Sequence, residues 1–141
     1  MAAGDALVQP YVASVAGRGE TSLVFAGDSF SHAVRKVPRT GDFRVQAEHG
    51  GSVVVHRPTA DELRVARAAL RTAPGTRTYA RVDLVATDDG PAVMELELVE
   101  PELFLGTDPG APARFAAAFL AEAGRGSRGG AGPPAAPRRA R

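Results

Sequence analysis

Apolar positions recur every second residue over much of the chain and every third or fourth residue in two stretches, which divides it into strands and helices. The plainest alternation lies in "YARVDLVATDDGPAVMELELVEP", residues 79 to 101. Val82 and Leu84 interleave with Arg81, Asp83 and Val85, and Met94, Leu96 and Leu98 interleave with Glu95 and Glu97. This pattern predicts two strands turning at "DDGP", with Met94, Leu96 and Leu98 entering the core. "TSLVFAGDSFSHAVRKV" (21–37) predicts a hairpin turning at Gly27–Asp28, and "SVVVH" (52–56) a further strand. "ALVQPYV" (6–12) is another strand candidate, which Pro10 confines to an edge or a bulge. "GDFRVQAEHGGS" (41–52) has two glycine turns and no helical period, so it reads as a loop.

The helical period appears in "TADELRVARAALRTA" (59–73), where Leu63, Ala66 and Leu70 share a face. Thr59 and Glu62 have the spacing of a capping box at its start. A last helix runs to about Ala123, with Phe115, Phe119 and Leu120 predicted to face inward. The order β, β-hairpin, loop, β, α, β-hairpin, α predicts an α+β fold, an antiparallel sheet with helices on one face. Residues 1–123 form the predicted lobe. Residues 124–141, "GRGSRGGAGPPAAPRRAR", hold five arginines and no acid and read as a disordered tail.

Composition narrows the function. The 141 residues suffice for one domain, and 44% hydrophobic with 23% charged residues is globular usage. No apolar run approaches the roughly 20 residues that span a bilayer, and no charged leader precedes an apolar stretch, so neither membrane nor secretion is expected. The absence of cysteine excludes disulfides, thiolate metal sites and a cysteine nucleophile, and a cytoplasmic setting is expected. The net charge of +1 divides into the basic tail and a remainder of 12 basic and 16 acidic residues. Sixteen of the 17 basic residues are arginine, beside heavy Ala, Gly and Pro use, which reads as codon bias rather than phosphate contact. Nucleic acid is not an expected partner.

The acids of the 79–101 stretch then stand out. Residues i and i+2 of a strand share a face, so Glu95 and Glu97 project together. If the strands pair across "DDGP", Asp83 joins them. Like charges this close repel unless something positive sits between them, and oxygen-only ligands suit a hard cation such as Mg²⁺. A solvated sheet face with acids placed by chance is the other reading.

"RVDLV", a turn and "GPAVMELELVEP" resemble the C-terminal metal-binding hairpin of ATP-grasp ligases, commonly R-h-D on one strand and E-h-N on the next (h apolar). The resemblance implies that Asp83, Glu95 and Glu97 hold two Mg²⁺ ions bridging the ATP phosphates, Glu97 standing at the usual Asn position. It also gives Arg81 a catalytic role at the acyl-phosphate and tetrahedral intermediates. Three further segments agree in order. "ALVQPYV" resembles the hinge strand that holds adenine, with Gln9, Pro10, Tyr11 and Val12 at its binding positions. "GETSLVF" resembles the strand whose leading acid binds ribose, here Glu20. "GDFRVQAEHGGS" is similar to the G-D-F-R-x-N…GG loop of the glutathione synthetase and ribosomal-protein glutamate ligase branch. That likeness sets Arg44 at the γ-phosphate and acyl substrate, with Gln46 in place of Asn. The combined pattern, over roughly residues 6 to 105, is also similar to the cycloserine-forming ATP-grasp cyclo-ligase. Lys36 reads either as a phosphate contact or as an ordinary strand-end lysine.

The resemblance implies an ATP-dependent ligase that joins a small-molecule carboxylate to an amine through an acyl phosphate. A full ATP-grasp enzyme runs to about 300 residues, and its first ATP lobe supplies two lysines. This chain has one and begins at the hinge strand, so it reads as the C-terminal lobe alone, from a truncated gene or a misassigned start. A missing N-terminal lobe or an oligomer partner is then expected, and independent catalysis is not. The rival reading is a non-catalytic ATP-grasp remnant or nucleotide-binding module. Other residues carry bland readings. His32, His49 and His56 lack metal-ligand spacing and read as surface or packing residues, and Ser29 and Ser31 have no relay to form a triad. Glu100 and Glu102 read as surface. "GRGSRGG" follows a helix rather than opening one, so it is no phosphate loop.

Overall fold

The computed structural model describes Gly4 and residues 8–38 and 51–126. In chain order the elements are α1 (Ser14–Arg18), β1 (Glu20–Ala26), β2 (Ser29–Val37), β3 (Ser52–His56), α2 (Ala60–Thr72), β4 (Tyr79–Thr87), β5 (Gly90–Glu97), a 3₁₀ turn (Leu105–Thr107) and α3 (Ala111–Gly126). The strands form one sheet in the order β3-β2-β1-β4-β5, every neighbouring pair antiparallel. The two hairpins turn where their glycines permit it, at Gly27 (φ 60) and Gly90 (φ 109). The α+β class and the antiparallel sheet are as expected, and the chain from β3 reaches the other side of the sheet by way of α2.

Period-two alternation sorts the sheet into two unlike faces. On one face Leu23, Phe25, Ala33, Ala80, Val82 and Leu84 pack beneath Ala66 and Leu70 of α2, with Leu63, Leu96 and Leu98 around them. The capping box holds α2 in register: the Glu62 N–H donates to Thr59 Oγ1 (3.1 Å) and the Thr59 N–H to Glu62 Oε2 (2.7 Å). On the other face Val24, Val34, Phe104 and Phe115 pack beneath α3, and Val15 of α1 meets Val85. Between these two apolar clusters the second face is polar. The helices are therefore divided between both faces rather than gathered on one. The reason is that the alternating apolar residues of β1 face both ways, Leu23 and Phe25 on one side and Val24 on the other, all wholly buried.

Several expectations need correction. Residues 8–12 form no strand; Pro10 lacks an N–H for a ladder, and the chain turns directly into α1, whose Ser14 hydroxyl donates to the Ala86 carbonyl. Neither α1 nor the 3₁₀ turn was anticipated, since five and three residues are too short to show a period. Phe115 is buried as expected, but Phe119 and Leu120 are 51% and 74% exposed, because one helix face alone reaches the sheet. Met94 is displaced by a bulge: Asp83 pairs with Glu95 but Leu84 pairs with Val93, so Met94 has no partner opposite. It packs with Val12, Val15 and Val85 on the acid face, while Leu96 and Leu98 join the α2 side as expected. Helix α3 extends to Gly126. The expected loop at 41–52 lies outside the described residues up to residue 50, as does the tail from residue 127. Among the described residues, no helix is long and apolar enough to cross a membrane.

Candidate functional site: an acid cluster bound by two internal cations

Four strands bring ionised side chains to the polar strip of the second face. The pairing Glu20↔Lys36 joins β1 to β2, Ser22↔Asp83 joins β1 to β4, and Arg81↔Glu97 and Asp83↔Glu95 join β4 to β5. Carboxylate oxygens of Asp83, Glu95 and Glu97 lie within 4.8 Å of one another. The Lys36 ammonium donates to Asp83 Oδ2 at 2.8 Å and pairs with Glu20. Arg81 donates from Nε to Asp83 Oδ1 (2.9 Å) and from Nη2 to Asp83 Oδ2 (2.8 Å), and it also pairs with Glu97. Its Nη1 donates to the Glu102 carbonyl (3.2 Å), and its guanidinium lies 5.8 Å from the centre of the Phe104 ring. Four acids face two bases, which leaves two excess negative charges when every acid is ionised.

Burial and charge act in opposite senses here. Burial would push the Asp83 carboxyl up, but the Arg81 hydrogen bonds and the Lys36 and Arg81 charges outweigh it and hold Asp83 below the usual carboxylate range. Burial followed by the Asp83 charge pushes Glu20 up to about 7, against the pull of Lys36. Burial, with the Glu97 and Asp83 charges, raises Glu95 as well. Burial opposes the Arg81 charge, yet Asp83 and Glu97 overcome it and hold the guanidinium more firmly protonated. The strip thus has acids short of positive charge at its open edge, where Glu95 is exposed, and neutralised acids at its floor, where Asp83 is 1% exposed.

The sequence-derived candidates divide as follows. Asp83, Glu95, Glu97, Arg81, Glu20 and Lys36 come together, and Lys36 proves to be a buried ion-pair partner rather than an ordinary strand-end lysine. Gln9 donates from Nε2 to the Met94 sulfur (3.0 Å), and Val12 and Met94 pack against the same Val15–Val85 pair, so the 9–12 segment borders the acid face without strand pairing. Pro10 and Tyr11 are exposed there. Arg44 and Gln46 lie outside the described residues. Ser22 is a missed feature: its hydroxyl is buried on this face with no hydrogen-bond partner among the described residues. So is Gly19, whose φ of 71° carries the chain past the Lys36 carbonyl; a Cβ there would stand 2.2 Å from that oxygen. Neither had a local sequence signal.

The match of residues 2–103 to the RimK-like ATP-grasp domain shows that the chain belongs to that family. Cycloserine biosynthesis protein DcsG of Streptomyces lavendulae is 39% identical over 131 residues, covering 80% of this chain and 40% of that protein. The ribosomal protein bS6–L-glutamate ligase of Escherichia fergusonii is 34% identical over 90 residues, covering 64% of this chain and 29% of that protein. The crystal structure of D-cycloserine synthetase DcsG aligns with a TM-score of 0.68 at 32% identity, over 81% of this chain and 41% of that one. D-alanine–D-alanine ligase from Bacillus anthracis, complexed with ATP, aligns with a TM-score of 0.53 at 16% identity, over 79% and 40%, a likeness of fold alone. The chain spans 29 to 41% of the length of these relatives.

Proposed function

We propose that this chain is the ATP- and Mg²⁺-binding lobe of a carboxylate–amine ligase working through an acyl phosphate. The observation that carries the reading is the convergence of Asp83, Glu95 and Glu97 beside Arg81 and Lys36. The three carboxylates, from Asp83 at the floor to Glu95 at the open edge, offer a hard cation oxygen ligands, and the Glu95 carboxyl, raised by burial and then by the Glu97 and Asp83 charges, stands beside negative charge that a cation would relieve. The donor set fits Mg²⁺, and Asp83, Glu95 and Glu97 would hold it. Bound Mg²⁺ supplies charge neutralisation across the ATP phosphates.

The remaining chemistry belongs to this chain's own side chains. A substrate carboxylate attacks the γ-phosphorus, ADP departs, and an amine then displaces phosphate from the acyl phosphate. Arg81 holds positive charge at the transferring phosphoryl group, firmly protonated at any working pH and fixed on three sides. Lys36 presents a second cation at the phosphates, and Arg44 is assigned to the γ-phosphate and acyl group. Gln9, Pro10, Tyr11 and Val12 border the adenine position, and Glu20 is assigned to ribose. Titration of the chain with Mn²⁺ alone, followed by Mg-ATP, tests this. Asp83→Asn and Glu95→Gln are each expected to weaken Mn²⁺ binding by about tenfold or more. Mg-ATP should bind the lobe only weakly, since one lobe covers the nucleotide from one side. Unchanged Mn²⁺ affinity in both variants would refute the assignment.

A further inference from the structure

His32 is buried on β2, beside the second bulge of the sheet: Val24 pairs with His32 but Phe25 pairs with Phe30, which leaves Ser31 extra. The bulge brings two consecutive side chains together. His32 Nδ1 lies 2.9 Å from Ser31 Oγ, and Ser31 Oγ accepts from Arg114 Nε on α3 at 2.9 Å. On its other side His32 Nε2 lies 2.8 Å from the Leu103 carbonyl. Burial holds His32 below its usual imidazole range, and for the neutral ring the donor and acceptor roles follow. A carbonyl only accepts, so Nε2 carries the proton and Nδ1 must accept. The Ser31 hydroxyl therefore donates to Nδ1, and its oxygen takes the Arg114 N–H. The series runs one way, from Arg114 to Ser31 to His32 to the Leu103 carbonyl.

The segment at the end of that series bears on Arg81. Glu102 and Phe104 flank Leu103; the Glu102 carbonyl accepts from Arg81 Nη1 (3.2 Å), and the Phe104 ring lies beneath the guanidinium. This segment is not relaxed. Phe104 has φ 48° and Glu100 φ 52°, left-handed conformations that a residue with a side chain adopts only where its surroundings impose them. The His32 ring, edge-on to Phe115 at 6.4 Å, is the side chain that reaches into the segment between its two Arg81 contacts.

We propose that His32, as the neutral Nε2–H imidazole, is a positioning residue for Arg81, acting through the Leu103 carbonyl and the Glu102–Phe104 segment. Its functional meaning rests on the reading of Arg81 as the phosphoryl-facing guanidinium; the structural linkage does not. The sequence placed His32 among packing residues, since nothing local connects residues 32, 81 and 103.

The test reads Arg81 directly. Its side-chain N–H signals in the ¹H–¹⁵N spectrum of the 141-residue chain are identified by their loss in Arg81→Lys. His32→Phe keeps a ring against Phe115 and removes the donor. It should speed exchange of the Arg81 side-chain protons with water about tenfold, the factor that corresponds to one lost intramolecular hydrogen bond. His32→Gln, whose amide can still donate to the Leu103 carbonyl, should restore the wild-type rate. Ser31→Ala, which leaves Nδ1 without its donor, should shift the same signals by a smaller amount and serves where His32→Phe does not fold. Unaltered Arg81 signals in His32→Phe, or in Ser31→Ala if that is the variant that folds, would overturn the proposal. So would a His32→Gln spectrum that matches His32→Phe. Since no nucleotide is present, this outcome is independent of whether the lobe binds ATP.

Discussion

Lys36→Met removes the only lysine of the chain from between two buried carboxylates and isolates what it contributes. Its ammonium stands 2.8 Å from Asp83 Oδ2 and pairs with Glu20, and the Lys36 side chain is 10% exposed. Breaking a buried pair by deleting one partner typically costs 3–5 kcal/mol, because the surviving charge keeps its desolvation penalty. Two features place this case near the lower end, at about 3 kcal/mol. Asp83 keeps its bidentate bond to Arg81, and Glu20, pushed up to about 7, takes a proton readily near neutrality. Urea unfolding at pH 7.5 should show the midpoint fall with the slope unchanged, the mark of altered stability rather than altered compactness. Added Mg²⁺ should then recover more stability in the variant than in the wild type, since the acids have lost a competing cation and binding to the folded state alone stabilises it. A loss below about 1 kcal/mol would mean that Lys36 spends its time in solvent, and the charge balance of the site would need redrawing.

Gly19→Ala should destabilise the chain by more than 2 kcal/mol, since the new Cβ meets backbone 2.2 Å away at a positive φ; thermal melting of the variant checks it, and a wild-type midpoint would show that β1 can shift. Thr59→Ala should cost about 1 kcal/mol through loss of the helix cap. The same box carries a pH signature: burial would raise Glu62, but the Thr59 N–H and His56 outweigh it and hold the carboxyl below its usual 4.5. A depressed folded-state value means stability that is present above pH 4.5 and lost as pH falls through the lower folded value, so Glu62→Gln should flatten that part of the acid-unfolding profile.

What could be read from the chain was whatever local spacing encodes. The alternation around Asp83, Glu95 and Glu97 foretold a shared face, and the cross-strand register confirms that geometry. Thr59 and Glu62 foretold the start of α2. The failures share a cause of a different kind. Both bulges, at Ser31 and Met94, interrupt an alternation that looks unbroken in the sequence, because which strand carries the extra residue is decided by packing across the pair. Phe119 and Leu120 follow the helical period, but the width of the buried stripe depends on how closely α3 approaches the sheet. Residues 8–12 look like a strand by composition, yet a strand requires a partner, and among the described residues none pairs with them. Contacts such as Lys36 to Asp83 span 47 residues and leave no trace in any window.

The alternation of acids with core residues can now be explained by the repulsion that this face must withstand. Two carboxylate oxygens at the outer limit of 4.8 Å repel by about 3.5 kcal/mol at an effective dielectric of 20, and by less where Glu95 reaches water. A sheet that carried Asp83, Glu95 and Glu97 merely as surface decoration would relax by turning them apart. Here Arg81 and Lys36 hold the floor of the cluster, so the acids stay together while one edge remains short of positive charge. Glu97 matters most to that balance. Where the family pattern has a neutral Asn, this chain has a charge that pairs with Arg81, so a cation arriving at Glu97 competes with the guanidinium for it. The competition would release Arg81 from one of its acid partners while Asp83 and the Glu102 carbonyl keep its orientation. If Asp83, Glu95 and Glu97 hold the cation proposed above, the additional acid at position 97 would couple its arrival to the freeing of one guanidinium edge, which a neutral amide there would do only weakly.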